Sequence, residues 1–214
     1  MMRLSERRKG AEMRRKVFDI LVSAGGLVLL LVLLVAGSLL MWGSSYTNNQ
    51  VHDQLAMQQV YFPPAAAFKN AKPGTEITPS MRPYIYQYAG QQVLTGAQAE
   101  AYANHFIAVH LYDMPYHGVY AKVSAAARAA TPGTKQAASL GALETTVFQG
   151  TTLRAMLLEA YGFWLIGDIA FWGSIASFAL AGVMAVLIGF GFWHARRVPV
   201  EKELLTAVPT ALAA

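Results

Sequence analysis

The chain contains no cysteine in 214 residues. That absence removes thiolate metal sites, iron–sulfur clusters, cysteine nucleophiles, c-type haem attachment and disulfides, so any domain it forms is stabilised by packing. Charge is scarce too. Asp, Glu, Lys and Arg make up 14% of residues against 55% hydrophobic, where a soluble domain carries roughly a quarter charged residues. A deficit of that size points to lipid-facing surface. Phosphate loops, hydrolase elbows, zincin helices and dinucleotide fingerprints are also missing. Histidine is absent from both long charge-free segments, which argues against a haem held by His ligands within them.

Those two segments dominate what is present. Ile20 to Trp42 is uncharged and dense in Leu and Val, about 34 Å as a helix, which is long enough to cross a hydrocarbon core. A secretory signal with a cleavage site at Ala36-Gly37-Ser38 is the competing reading, but the apolar part of such signals is usually roughly 7–15 residues. The second segment runs from Ile169 to Trp193 and is followed by His194, Arg196 and Arg197. Trp172 and Trp193 would lie roughly 31 Å apart along a helix, the spacing of two interfacial anchors around a bilayer. Asp19 and Asp168 then fall at helix ends rather than in lipid.

The formal net charge is +5, most of it from Arg3, Arg7, Arg8, Lys9, Arg14, Arg15 and Lys16 beside the first segment. Basic flanks next to apolar spans carry topology information, and both sets read as cytoplasmic. Within residues 44–162, seven Lys/Arg face six Asp/Glu, so no basic face exists to neutralise a phosphate backbone and nucleic acid is excluded as a partner. The expected organisation is a cytoplasmic N-terminus (1–16), a first span (17–43), an extracytoplasmic helical domain (44–162), a second span (163–193) and a cytoplasmic tail (194–214). Along the second span Gly173, Ser177, Ala181, Ala185 and Gly189 recur every fourth residue, a row that lets another helix approach closely. It drifts around an ideal helix. Packing against the first span, whose small residues cluster at Ser23 to Gly26 and Ala36 to Ser38, competes with self-association or a separate membrane subunit.

The first helix is expected to continue past Trp42, because Thr47 to Val60 holds no Gly or Pro, and to end before Tyr61-Phe62-Pro63-Pro64. An irregular stretch follows to about Tyr84. Thr95-Gly96-Ala97-Gln98 fits a capping box and predicts a helix stopped by Pro115. In it Ala99, Tyr102, Phe106 and Val109 share one face while Ile107 and Leu111 lie elsewhere, so it is covered on more than one side. A shorter helix is expected over Tyr116 to Ala130. From Ala137 a long helix leads into the second span, with an apolar stripe at Leu140, Leu143, Val147, Thr151, Ala155 and Leu158 and with Gly150 and Gly162 as candidate kinks. Tyr84 to Tyr88 alternates too briefly to make a strand. The expected fold is an all-α membrane protein: two antiparallel transmembrane helices extended into a four-helix-bundle-like domain.

Chemistry-bearing residues are few. His105 and His110, five apart, point about 140° from each other on an ideal helix and cannot easily share an ion. His110, Met114 and His117 around Pro115 offer a soft, copper-like donor set, although the same run reads equally as an aromatic loop. His52 beside Asp53 reads as a surface pair. Glu76, Glu100, Asp113, Glu144 and Glu159 have no spacing that implies a catalytic pair, and no cofactor is called for.

Val51-His52-Asp53-Gln54-Leu55, Tyr61-Phe62-Pro63-Pro64, Tyr88-Ala89-Gly90-Gln91-Gln92-Val93, Ala101 to His110 and Tyr161-Gly162-Phe163-Trp164 together resemble a group of uncharacterised two-span actinobacterial membrane proteins, over about three quarters of the chain. Some members of that group are labelled aromatic ring-opening dioxygenases. Such chemistry calls for an iron site of two His and a carboxylate, and no grouping here is spaced for it. The leading expectation is therefore a non-enzymatic accessory or scaffold protein of the cell envelope, with the lipid bilayer and a membrane-protein partner or second copy as its contacts. An extracytoplasmic ligand-binding or sensory module signalling through a partner, and a copper-handling or enzymatic protein, are the alternatives.

Overall fold

A computed structural model of the chain describes the backbone of residues 2–197 and the side chains of residues 21–193. The side chains of the basic cluster, of Asp19 and of His194, Arg196 and Arg197, and the tail from residue 198, lie outside the described residues. Helix α1 (Met2–Gln58) leads through short turns and α2 (Arg82–Ile85) to α3 (Gly96–Tyr102), a π-helical turn (Ala103–Ile107) and α4 (Ala108–Asp113). Then come α5 (Tyr120–Ala129) and α6 (Lys135–Arg197). The described residues form helices and connecting turns without a strand, with one isolated antiparallel bridge, Tyr61 to Gln92. Two helices, α1 and α6, are long and apolar enough to cross a membrane, with apolar stretches of mean hydropathy 2.6 and 2.2.

The chain divides into two compact units, to which α1 and α6 both contribute: one holds α1 up to Met41 and α6 from Trp172, the other is Trp42–Phe171. In the first unit the two helices pack antiparallel. A Cβ at Gly26 would touch Ile188, one at Gly37 would stand 2.9 Å from Phe178 Cε1, and one at Gly173 would stand 3.4 Å from Leu40. The covered positions of α1 in this unit are Ser23, Gly26, Leu30, Leu33, Ala36, Gly37 and Met41, chiefly at the three-and-four spacing characteristic of a helix seam. Gly173, Ser174, Ser177, Ala181, Met184 and Ile188 answer from α6. Only the first three members of the small-residue row face α1; Ala185 and Gly189 are exposed. Each four-residue step rotates about 40° around an α-helix, so the row leaves the seam after Ala181 and larger side chains take over.

The Trp42–Phe171 unit is built around one core. Val51 and Leu55 of α1, Phe62, Phe68, Ile77, Met81, Ile85 and Val93 of the connecting segment, Ile107 and Leu111 after α3, and Leu157 of α6 are all buried. The capping box forms: Thr95 Oγ1 accepts from the Gln98 amide and Gln98 Oε1 accepts from the Thr95 amide. This start is tied to α6 by Gly96, where any Cβ would overlap Trp164 Cβ and stand 2.5 Å from its Cγ. The connecting segment closes back on α1. Val93 N donates to Val60 O at 2.8 Å, Phe62 N donates to Gln91 O at 2.9 Å, and Gln92 Nε2 donates to Ala56 O at 2.8 Å. The last of these adds a second donor to the Ala56 carbonyl, which also accepts from Gln59 N at 3.3 Å in the closing turn of α1.

Tyr84 to Tyr88 forms no strand, in keeping with its brief alternation, and belongs to α2 and the 3-10 turn after it; the isolated β bridge among the described residues lies at Tyr61. Three expectations need correction. The shorter helix starts at Tyr120 rather than Tyr116, because Tyr116, His117 and Gly118 all adopt left-handed backbone angles (φ 60°, 54° and 60°). Helix α6 continues through Gly150 and Gly162. Gly150 is a close-approach site, where a Cβ would stand 2.9 Å from Leu111 Cδ2. The stripe on α6 also drifts: Val147 is buried and Leu143 and Leu158 are half-buried, while Thr151 and Ala155 are exposed, and Gly150, Arg154 and Leu157 take their places by the same 40° rotation.

Candidate functional site

The π-helical turn is the local feature that organises the most polar part of the 42–171 unit. Such a turn inserts one residue into an α-helix and often marks a functional position. The insertion explains the two out-of-phase apolar faces read from the sequence. Tyr102, Phe106 and Val109 pack against the core from one side, while Ala99, Ala103, Ile107 and Leu111 are buried within it. Aromatic rings hold the turn from several directions. Tyr102 lies 4.7 Å from Phe106 and 5.3 Å from Phe62, and His105 stacks on Tyr84 with centroids 3.7 Å apart and planes 2° apart. Burial, reinforced by the negative charge of Glu76, pushes the Tyr102 phenol above its ordinary pKa.

Asn104, within the turn, joins two charged groups. Its Oδ1 accepts from Arg154 Nη2 at 2.8 Å and its Nδ2 donates to Glu100 Oε1 at 2.7 Å. Arg154 Nε is buried without a partner. The amide thereby relays the guanidinium of α6 to a carboxylate of α3 without direct contact between the charges. The four-residue spacing of Glu100 and Asn104 is that of a helical side-chain pair, whereas no spacing rule reaches Arg154, fifty residues on.

Asn104 also lines an open groove of about 660 Å³, within the range of small-ligand sites. Pro73, Gly74, Thr78, Pro79 and Ser80 form one side, and Ala108, Val109, Tyr112 and Asp113 continue the other. Thr78 and Ser80 hydroxyls lie 2.8 Å apart. The lining offers hydroxyls, an amide, a phenol and a single carboxylate, with no Lys, Arg or His. Hydrogen bonding to a neutral polar molecule is the chemistry this set can perform.

His110, Met114 and His117 sit at the far end of α4, each engaged locally. His110 Nδ1 lies 2.7 Å from Phe106 O and its ring packs edge-on to Phe106. His117 Nδ1 lies 3.2 Å from Tyr112 O and its ring stacks on Tyr112 at 4.5 Å. Met114 packs against the core. His105 and His110 likewise face different partners, and among the described residues no three His, Asp or Glu side chains converge as metal ligands. His52 and Asp53 form an exposed pair at 3.2 Å. The left-handed Tyr116 and His117 have structural weight nonetheless, since non-glycine residues avoid that region at a cost of roughly 1–2 kcal/mol each, and His117 braces the Tyr112 wall of the groove. Compared with protein families, with curated proteins and with solved structures, the chain matches none.

Proposed function

We propose that the chain is a two-span membrane protein, both ends cytoplasmic, with an extracytoplasmic four-helix-bundle-like domain, that acts as a non-enzymatic accessory or scaffold by packing against another membrane helix. The membrane reading is supported by how little of the apolar helices is covered: 6% of each apolar window is buried. The central helix of a soluble protein would be mostly buried, and a helix that is apolar all round needs a nonpolar surrounding. The basic flanks support the orientation. The observation behind the scaffold role is the exposed remainder of the small-residue row. Ala185 and Gly189 stay uncovered on α6, where a further helix can approach.

The absence of cysteine makes the test direct. Single-cysteine variants Ser5→Cys, Thr134→Cys and Thr206→Cys, treated in intact cells with a membrane-impermeant maleimide, are expected to label at Thr134→Cys alone; labelling at either end overturns the orientation. Photocrosslinking from Gly189→Cys is expected to capture one membrane protein or a second copy, whereas Ser177→Cys, which faces α1, captures neither. Equal, lipid-only labelling from both positions removes the scaffold reading. A ligand-binding module is the second reading, favoured by the groove at Asn104, which runs from the π-helical turn along α4 to Asp113. If a broad thermal-shift screen of the full chain finds no stabilising small polar molecule, this second reading falls.

A further inference from the structure

A second groove in the 42–171 unit has a different chemistry. It lies between α1 and α6, has a volume of about 430 Å³, and is floored by Val51 and Leu55, which are 5% and 2% exposed. Along α1, Gln50, Gln54 and Gln58 recur every fourth residue and give it one polar wall; Met156 and Phe163 of α6 give it an apolar one. A smaller depression of about 360 Å³ continues past Met156 to Phe148 and Tyr120. Met156 and Glu159 line both.

This surface is expensive to leave in water. Met156, Phe163 and Phe148 are 60%, 54% and 54% exposed, and a contiguous apolar surface rimmed by polar groups marks a binding face. Its charge says what kind of partner fits. Glu159 is the sole ionisable carboxylate along the two cavities, it forms no ion pair among the described residues, and neither cavity is lined by Lys, Arg or His. An anion would meet repulsion there, and a neutral apolar molecule would leave the carboxylate and three amides unused. A cation with an apolar body matches every part: Glu159 and the glutamine carbonyls face its charge, and the aromatic faces attract it through their quadrupoles.

We propose that the paired groove binds an amphipathic organic cation, its ammonium beside Glu159 and its apolar body along Met156, Phe163 and Phe148. The site is separate from the Asn104 groove, so each stands or falls alone. The test uses the full chain in nonionic detergent, with benzyltrimethylammonium as the probe and benzyl alcohol and benzenesulfonate as neutral and anionic comparators, read by equilibrium dialysis. The cation is expected to bind more tightly than either comparator. Glu159→Gln is expected to weaken it roughly three- to fivefold, the scale of an exposed charge pair, and Phe163→Ala roughly two- to fivefold. Glu144→Gln, on the same helix but outside both cavities, and Asn104→Leu are expected to leave it unchanged.

Equal uptake of all three probes, or cation binding indifferent to Glu159→Gln, overturns the proposal. So does an equal loss in Glu144→Gln, which would signal attraction to net charge alone. A dimeric chain that becomes monomeric on Phe163→Ala while ignoring the probe would assign the groove to a second copy instead. Because Glu159 is exposed, Glu159→Gln is expected to keep the unfolding temperature, so loss of binding reads the site and not the fold.

Discussion

Replacing Asn104 by leucine should cost more stability than removing the arginine it holds. In Asn104→Leu the Arg154 guanidinium keeps its place beside the π-helical turn but loses the 2.8 Å bond from Nη2, and its Nε is already buried without a partner. Hydrogen bonds to charged groups contribute about 1.5–3 kcal/mol. Arg154 is only half-buried, so solvent screening places the loss near the lower end, about 1.5–2 kcal/mol. Arg154→Met keeps most of the apolar stem and leaves a neutral amide oxygen with one partner fewer, at about 1 kcal/mol. With both changes together the two apolar side chains face each other, and the double variant should be no less stable than Asn104→Leu alone. The coupling is then about 1 kcal/mol, well beyond the roughly 0.3–0.5 kcal/mol scatter of independent sites. Thermal and denaturant unfolding of the full chain in detergent, followed by circular dichroism, reads the cycle, and Asn104→Leu should lower the midpoint by about 3–6 °C. Strict additivity of the two single changes would refute the relay.

Three further outcomes follow from the same geometry. Thr95→Ala removes one half of the capping box and should cost about 1 kcal/mol, measured by denaturant unfolding, while Thr95→Ser should cost far less. Gly37→Leu forces a side chain onto the Phe178 ring and should separate the α1 and α6 seam; disulfide formation between Gly26→Cys and Ile188→Cys, efficient in the parent, should fall several-fold. The raised pKa of Tyr102, from burial first and Glu76 second, makes its neutral form favoured in the folded state. Above the ordinary tyrosine pKa of about 10 the unfolded chain sheds that proton first and binds fewer protons than the folded one, so stability falls as pH rises through that range. Tyr102→Phe should flatten that limb of a stability-versus-pH curve, and an unchanged limb would assign it to other tyrosines.

Local rules served the fold well wherever one residue type dominates its neighbourhood. The end of α1 before Tyr61, the Thr95–Gln98 start of α3 and the stop before Pro115 were all legible, because proline and capping side chains act on backbone groups within four residues. Periodicity was legible only over short distances. Both stripes, on the second apolar segment and at Leu140 to Leu158, held for about two turns before rotating off their partners. The candidate site was mostly illegible. Its groove depends on Thr78 and Ser80 meeting Asn104, and its relay on Asn104 meeting Arg154 fifty residues away.

What the sequence by itself determined is therefore the class of molecule: helical, without cysteine chemistry, with two helices long and apolar enough to cross a membrane. Composition and nearest-neighbour backbone chemistry suffice for that. Tertiary structure alone decided which faces of those helices are covered, that the α3–α4 run takes up an extra residue as a π-helical turn, that Tyr116 to Gly118 turn left-handed, and that Glu159 lies among exposed aromatic rings with no ion pair among the described residues. Each of these results from competition between distant side chains for the same space, and the energy of such contacts depends on pairs of residues that no local pattern brings together.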